Sequence, residues 1–206
     1  MKTDSAAIRY EDLEPRLQSG DLMLFHGASR RSKVIEAATH SEFSHIGMIV
    51  RDPSRSLLLW QTDPRPVAED VEEGSRHPGA QLNDLRTALS RMTSPDYGDT
   101  PFVRQLIVER GAAFDEQVQG AIATMEGKSF PSIVGMIEEW LLGHLHVATS
   151  KQHMYCAEVV AAAFQSMGLL PEKPPANSYW PRDFSAQHER LPLLRGARLG
   201  PQMQVL

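Results

Sequence analysis

Cys156 is the only cysteine among 206 residues, and it stands in the stretch Met154-Tyr155-Cys156-Ala157-Glu158-Val159-Val160. A polar turn over 149–153 precedes it. An apolar run continues to Gly168, with Pro171 shortly after. This pattern predicts a helix that begins at the cysteine and is stopped by a left-handed glycine. A thiol in the first turn of a helix feels the positive end of the aligned peptide dipoles, which favours the thiolate. Such a thiolate becomes a hydrolytic nucleophile when an imidazole can take and return a proton and a third group fixes that imidazole. His45 and Gln61 have the right chemistry for the second and third parts. Tyr155 and Glu158 flank the sulfur and are the candidate substrate contacts, although Glu158 suits a structural hydrogen bond better. The competing reading is a small buried hydrophobe, which free cysteine often is.

The elements that must bring these residues together can be read in order. Residues 8–19 read as a short helix or arm ending at Ser19-Gly20, and 21–25 as a first buried strand. Ser32 is the expected N-cap of a helix over 33–40, with Val34, Ile35 and Ala38 inward. Residues 43–50 and 56–62 form two strands joined by the turn Arg51-Asp52-Pro53-Ser54-Arg55. If the hairpin closes around Asp52-Pro53-Ser54, residue 50 faces 56 and His45 faces Gln61. A shift in register would bring Thr62 opposite instead, and Asp63 shares Gln61's face. Residues 64–100 are interrupted by Pro64, Pro66, Gly74, Pro78, Gly79, Pro95 and Gly98. A strand over 67–71 and a short helix over 82–92 are expected there. A strand over 102–108, helices over 112–125 and 133–145, and a last strand within 190–206 complete the reading.

Composition bounds the function. The chain is 41% hydrophobic and 23% charged, ordinary for one globular domain spanning 1–206. Its net charge of -5 argues against nonspecific binding to nucleic acid or an anionic membrane. One cysteine excludes an internal disulfide and a cysteine-based zinc cluster. Residues 1–21 carry charges throughout with no apolar core of a secretory signal, and no apolar run reaches the roughly 20 residues of a membrane span. A cytoplasmic protein without stable membrane insertion is expected.

Five stretches resemble the circularly permuted papain-fold hydrolases of NlpC type, a group with YiiX-like members and, more distantly, lecithin:retinol acyltransferase-like proteins. Gly20-Asp21-Leu22 resembles the opening strand of that family, and Ser41-Glu42-Phe43-Ser44-His45-Ile46-Gly47 its histidine strand. Tyr155-Cys156-Ala157-Glu158 is similar to its nucleophile turn, with alanine where serine is frequent. Pro181-Arg182-Asp183-Phe184 is similar to its trailing element, and Gly127-Lys128-Ser129-Phe130 to a turn before the cysteine helix. The resemblance implies an α+β fold, a small antiparallel sheet packed against helices, with the cysteine helix on the sheet face that carries His45 and Gln61. It implies Cys156 as nucleophile, His45 as general base and Gln61 at the third polar position, where glutamate or histidine is commoner. Asp63 takes that part if the register differs.

The function expected is a cysteine hydrolase that cleaves a peptide or amino-acid amide, such as a cell-wall peptide, through an acyl-enzyme in an open groove. The backbone N–H of Cys156 would be one oxyanion donor. Two alternatives stand beside it: an acyltransferase or deacylase on acyl-lipid, with the 133–145 helix lining an acyl channel, and a non-catalytic binding protein that kept the fold. No cofactor is implied. His144 and His146 point to different sides of a helix, so with His153 they make no metal site. Trp60 and Trp140 read as core, Arg30-Arg31 as a solvated turn and His26 as a surface or packing histidine. Tyr10 is a further candidate to line the cleft.

Overall fold

A computed structural model describes residues 6–29, 32, 33, 36, 41–52, 57–65, 67–111, 113–125, 142, 154–187 and 191–206. The strands are β1 (Ala6–Ile8), β2 (Leu22–His26), β3 (His45–Arg51), β4 (Leu57–Asp63), β5 (Gly79–Asp84), β6 (Thr100–Ile107) and β7 (Arg198–Val205). They form one mixed sheet in the order β1-β7-β6-β2-β3-β4-β5. Every neighbouring pair is antiparallel except β1 and β7. The helices are α1 (Tyr10–Leu13), α2 (Leu85–Met92), α3 (Phe114–Ala123) and α4 (Cys156–Ser166). The α+β class follows, with a larger sheet than the sequence suggested.

Side-chain alternation along the central strands divides the apolar interior in two. Leu22, Leu24, Ile46, Met48, Val50, Leu58, Trp60 and Leu82 meet α3 and α4 in one cluster. Met23, Phe25, Ile49, Leu57 and Leu59 meet Leu13, Leu17, Leu85 and Leu89 in the other. A sheet covered on both faces needs near-continuous apolar strands, which explains runs such as Leu22-Met23-Leu24-Phe25.

Two glycines are required by position. Gly20 has φ +91°, and a Cβ there would sit 2.8 Å from Leu106 Cδ2. Gly47 lies so close to β4 that a Cβ would come within 2.7 Å of Leu59 Cδ1. Asp21 between them ties three strands: its carboxylate accepts from the Leu106 N–H at 2.8 Å and its carbonyl from the Ile49 N–H at 2.7 Å.

Several expectations are corrected. The β3–β4 hairpin pairs Val50 with Leu58 and Met48 with Trp60, two residues from the expected register. Residues 67–71 form no strand; Asp70 makes only isolated bridges to Ser75 and Asn83. The stretch expected as a helix from 82 is strand until Asp84, whose carboxylate caps α2 by accepting from the Thr87 N–H at 2.8 Å. Ser29, three residues before Ser32, does the capping expected of Ser32: its hydroxyl accepts the Ser32 N–H at 3.0 Å. Most of the helix expected over 33–40 and, apart from Leu142, of that over 133–145 lies outside the described residues, as do Arg30, Arg31, Trp140, His144, His146, His153 and the 127–130 turn.

Candidate active site

The cysteine sits at the first position of α4 because the residue before it breaks the helical conformation and is held on both sides. Tyr155 is the N-cap, extended at φ -93° and ψ 167°. Its N–H is accepted by Glu158 at 3.4 Å, the return half of a capping box. Its hydroxyl donates to the Asn177 carbonyl at 2.6 Å, and its ring lies 5.2 Å from that of Trp180. The short turn Pro181–Phe184 holds Trp180 in place, with Asp183 accepting the Trp180 N–H at 2.7 Å. Arg104 of β6 then spans three carbonyls, those of Phe184, Leu199 and Gly200, at 3.1, 3.2 and 3.0 Å. Tyr155 is fully buried and Glu158 is 6% exposed. Both position the helix start.

His45 is the first residue of β3, and its ring lies 5.5 Å from that of Phe25. Alternation places it with Gly47 and Ile49, whereas α4 packs against the face of Ile46 and Met48. The expected shared face is thus corrected: ring and helix start come together at the end of the strand. There Cys156 lies near enough to the imidazole to act on its charge. Burial is the largest influence on His45 and opposes its charge, but the charge and hydrogen bond of Cys156, helped by Asp63, raise its pKa to about 9.

Gln61 is the direct partner of the imidazole, with Oε1 2.6 Å from His45 Nε2. An amide oxygen only accepts, so Nε2 carries a proton toward it, and Nδ1 is the ring nitrogen left for the sulfur. Asp63 also approaches Nε2, at 3.7 Å. The two-residue change in register preserves the face, so both β4 side chains reach the same ring. Asp63 is itself gripped by Arg65, whose Nε and Nη2 donate to its two oxygens at 3.0 and 2.9 Å. The Arg65 Nη1 donates to Asp99 at 3.1 Å, and the guanidinium lies 5.0 Å from the centre of the Tyr97 ring. Burial works to raise the Asp63 pKa, yet the charges of His45 and Arg65 hold it below the usual carboxylate range.

The pair is covered rather than set in an open groove: Cys156 is 5% exposed and His45 6%. Exclusion of water strengthens every charge interaction around it. Tyr10 is elsewhere, in the α1–α2 cluster, with its hydroxyl on Glu14 and the Arg86 guanidinium over its ring. His26 lies toward solvent between the Glu42 carbonyl and Lys33. A cavity of about 190 Å³ lined by Trp60, Leu82, Ile122 and Asp70 includes none of Cys156, His45 and Gln61.

Two participants were not foreseen. Asn83 accepts from Gln61 Nε2 at 2.9 Å, and Arg65 locks Asp63. The alternation Ala80-Gln81-Leu82-Asn83 was the available sign of a strand with one polar face.

Among the described residues no three His, Cys, Asp or Glu are grouped to hold a metal ion, and no helix is long and apolar enough to cross a membrane. No protein-family model matches the chain, and no curated protein sequence matches it. Among solved structures it is similar to the metalloprotein yiiX of Escherichia coli O157:H7, DUF1105, at 21% identity and a TM-score of 0.51. The likeness covers 73% of this chain and 66% of that one, just under two thirds of its length. At that identity it speaks for a shared YiiX-like α+β fold.

Proposed function

We propose that the chain is a cysteine hydrolase of permuted papain-like, NlpC-type arrangement, acting on a peptide or amino-acid amide. One observation carries this reading: an imidazole that feels the charge of a helix-start cysteine is held at Nε2 by Gln61 Oε1 at 2.6 Å. The choice of an amide rests on the sequence likeness to NlpC-type enzymes.

In this reading the Cys156 thiolate attacks the amide carbonyl carbon, and the carbonyl electron pair moves to oxygen, where the N–H groups of the α4 start stabilise it. Collapse of that adduct expels the amine, which takes its proton from the His45 imidazolium, and leaves a thioester on Cys156. Neutral His45 then removes a proton from water as the water attacks the thioester. The acid departs and the thiolate–imidazolium pair is restored.

The test is the rate of Cys156 alkylation by iodoacetamide at neutral pH in the native chain and in His45→Ala, followed by turnover of a panel of amides and long-chain acyl esters with Cys156→Ala as blank. Fast alkylation that slows at least several-fold in His45→Ala, with amide turnover, supports the proposal. Alkylation at the rate of an ordinary thiol in both proteins overturns it. Turnover confined to long-chain esters would move the activity to acyl-lipid.

A further inference from the structure

We infer that Asn83 is a positioning residue that sets the proton arrangement of His45 through Gln61, an inference that rests on the function proposed above. The three side chains form a line of hydrogen bonds anchored on the main chain. Asn83 Nδ2 donates to the Glu69 carbonyl at 3.0 Å, Gln61 Nε2 donates to Asn83 Oδ1 at 2.9 Å, and His45 Nε2 donates to Gln61 Oε1 at 2.6 Å. Asn83 and Gln61 are both fully buried, so water does not compete for these groups.

The direction of the line is decided at its far end. A primary amide can present either its oxygen or its NH2 group, and rotation by half a turn exchanges them. The Glu69 carbonyl can only accept, so Asn83 must turn its nitrogen that way and its oxygen toward Gln61. Gln61 must then turn its own nitrogen to Asn83 and its oxygen to His45. Only one ring arrangement satisfies that oxygen: a proton on Nε2, with Nδ1 free to exchange a proton with sulfur. With Gln61 reversed, its NH2 would face the Nε2–H of an imidazolium, donor against donor, and the ion pair with Cys156 would be disfavoured.

Glutamine at this position therefore needs a partner that a carboxylate would not need, because both carboxylate oxygens accept. The residue that supplies the direction is on β5, where Asn83 pairs with Leu59 and Gln61 pairs with Gln81. The diagonal from Gln61 to Asn83 is within ordinary reach on one face of an antiparallel pair.

The experiment compares iodoacetamide alkylation of Cys156 across pH in the native chain, Asn83→Ala, Gln61→Glu and the double variant. Asn83→Ala is expected to slow alkylation about tenfold at neutral pH and to move the rise of the rate to higher pH, the size of one lost buried hydrogen bond. In the Gln61→Glu background the same change is expected to cost less than about twofold, because the carboxylate has no orientation to lose. Equal losses in both backgrounds mean a merely structural Asn83 and overturn the inference, as does an unchanged rate in Asn83→Ala.

A readout that needs no variant is the 15N spectrum of His45 in the native chain above pH 9, where the ring is neutral. A proton on Nε2 is expected, and a proton on Nδ1 overturns the inference. If the native Cys156 reacts no faster than an ordinary thiol, the hydrolase proposal fails by itself, and the 15N result still judges Asn83.

Discussion

Two arms run from His45 Nε2 through neighbouring positions of β4, and they differ in kind. One passes through neutral amides, Gln61 and Asn83, to a main-chain carbonyl. The other passes through charges, Asp63, Arg65 and Asp99. The amide arm makes the shorter contact, 2.6 Å against 3.7 Å, and dictates where the ring proton sits. The ionic arm hardly orients the ring, but its negative end helps keep the imidazole charged. Direction and charge, which a single carboxylate would supply together, are here divided between two side chains.

Breaking both arms at their meeting point should have the largest effect. His45→Ala is expected to lower kcat/KM for an amide substrate by about 10²–10⁴, the range of a lost general acid–base, and steady-state kinetics check it. Asp63→Asn leaves the guanidinium of Arg65 with Asp99 alone, and the arginine side chain is 28% exposed. A loss of about 2–4 kcal/mol of stability is expected, somewhat below that of a fully buried broken pair, and denaturant titration measures it. Gln61→Ala should act on chemistry more than on folding, lowering kcat about tenfold with a smaller change in stability. If Asp63→Asn harms kcat far more than Gln61→Ala at equal folded fraction, the division between the arms is wrong.

The pH dependence sharpens the comparison further. The leaving amine needs the imidazolium, so kcat/KM is expected to fall as pH rises through about 9, whereas alkylation, which needs only the thiolate, should not. Asp63→Asn should move that fall to lower pH. The same shift makes a stability prediction. The folded-state pKa of His45 lies above its ordinary 6.5, so its stabilisation is complete below pH 6.5 and is lost as pH passes about 9. Denaturant midpoints of the native chain and His45→Gln should therefore converge across that interval. Gln61→Glu still offers the ring an oxygen either way round, so its effect on kcat is expected to be smaller than that of Gln61→Ala.

Local signals made much of this legible from sequence. The helix beginning at Cys156 was marked by its polar approach and its glycine stop, and α4 starts there. The hairpin carrying His45 and Gln61 was visible by its two apolar runs and the turn between them, and although the register moved by two, an even shift kept Gln61 and Asp63 on one face. The rest depended on contacts that sequence does not express. Asn83 follows a stretch broken by prolines and glycines, and its neighbours Leu82 and Leu85 fit a helical spacing as well as a strand. Asp63 looked like an alternative to Gln61 because nothing in the chain announces that Arg65 grips it and ties it to Asp99. The size of the sheet was missed because β1 pairs with β7 from the other end of the chain.

Arg104 draws the last consequence. Its guanidinium joins the turn beneath Trp180 to the strand β7, on the far side of the sheet from β5. The footing of the nucleophile and strand β7 are thus expected to open as one unit. Deuterium uptake at the β7 amides and at the start of α4 should rise together in Arg104→Met, even though Arg104 touches neither the sulfur nor the imidazole.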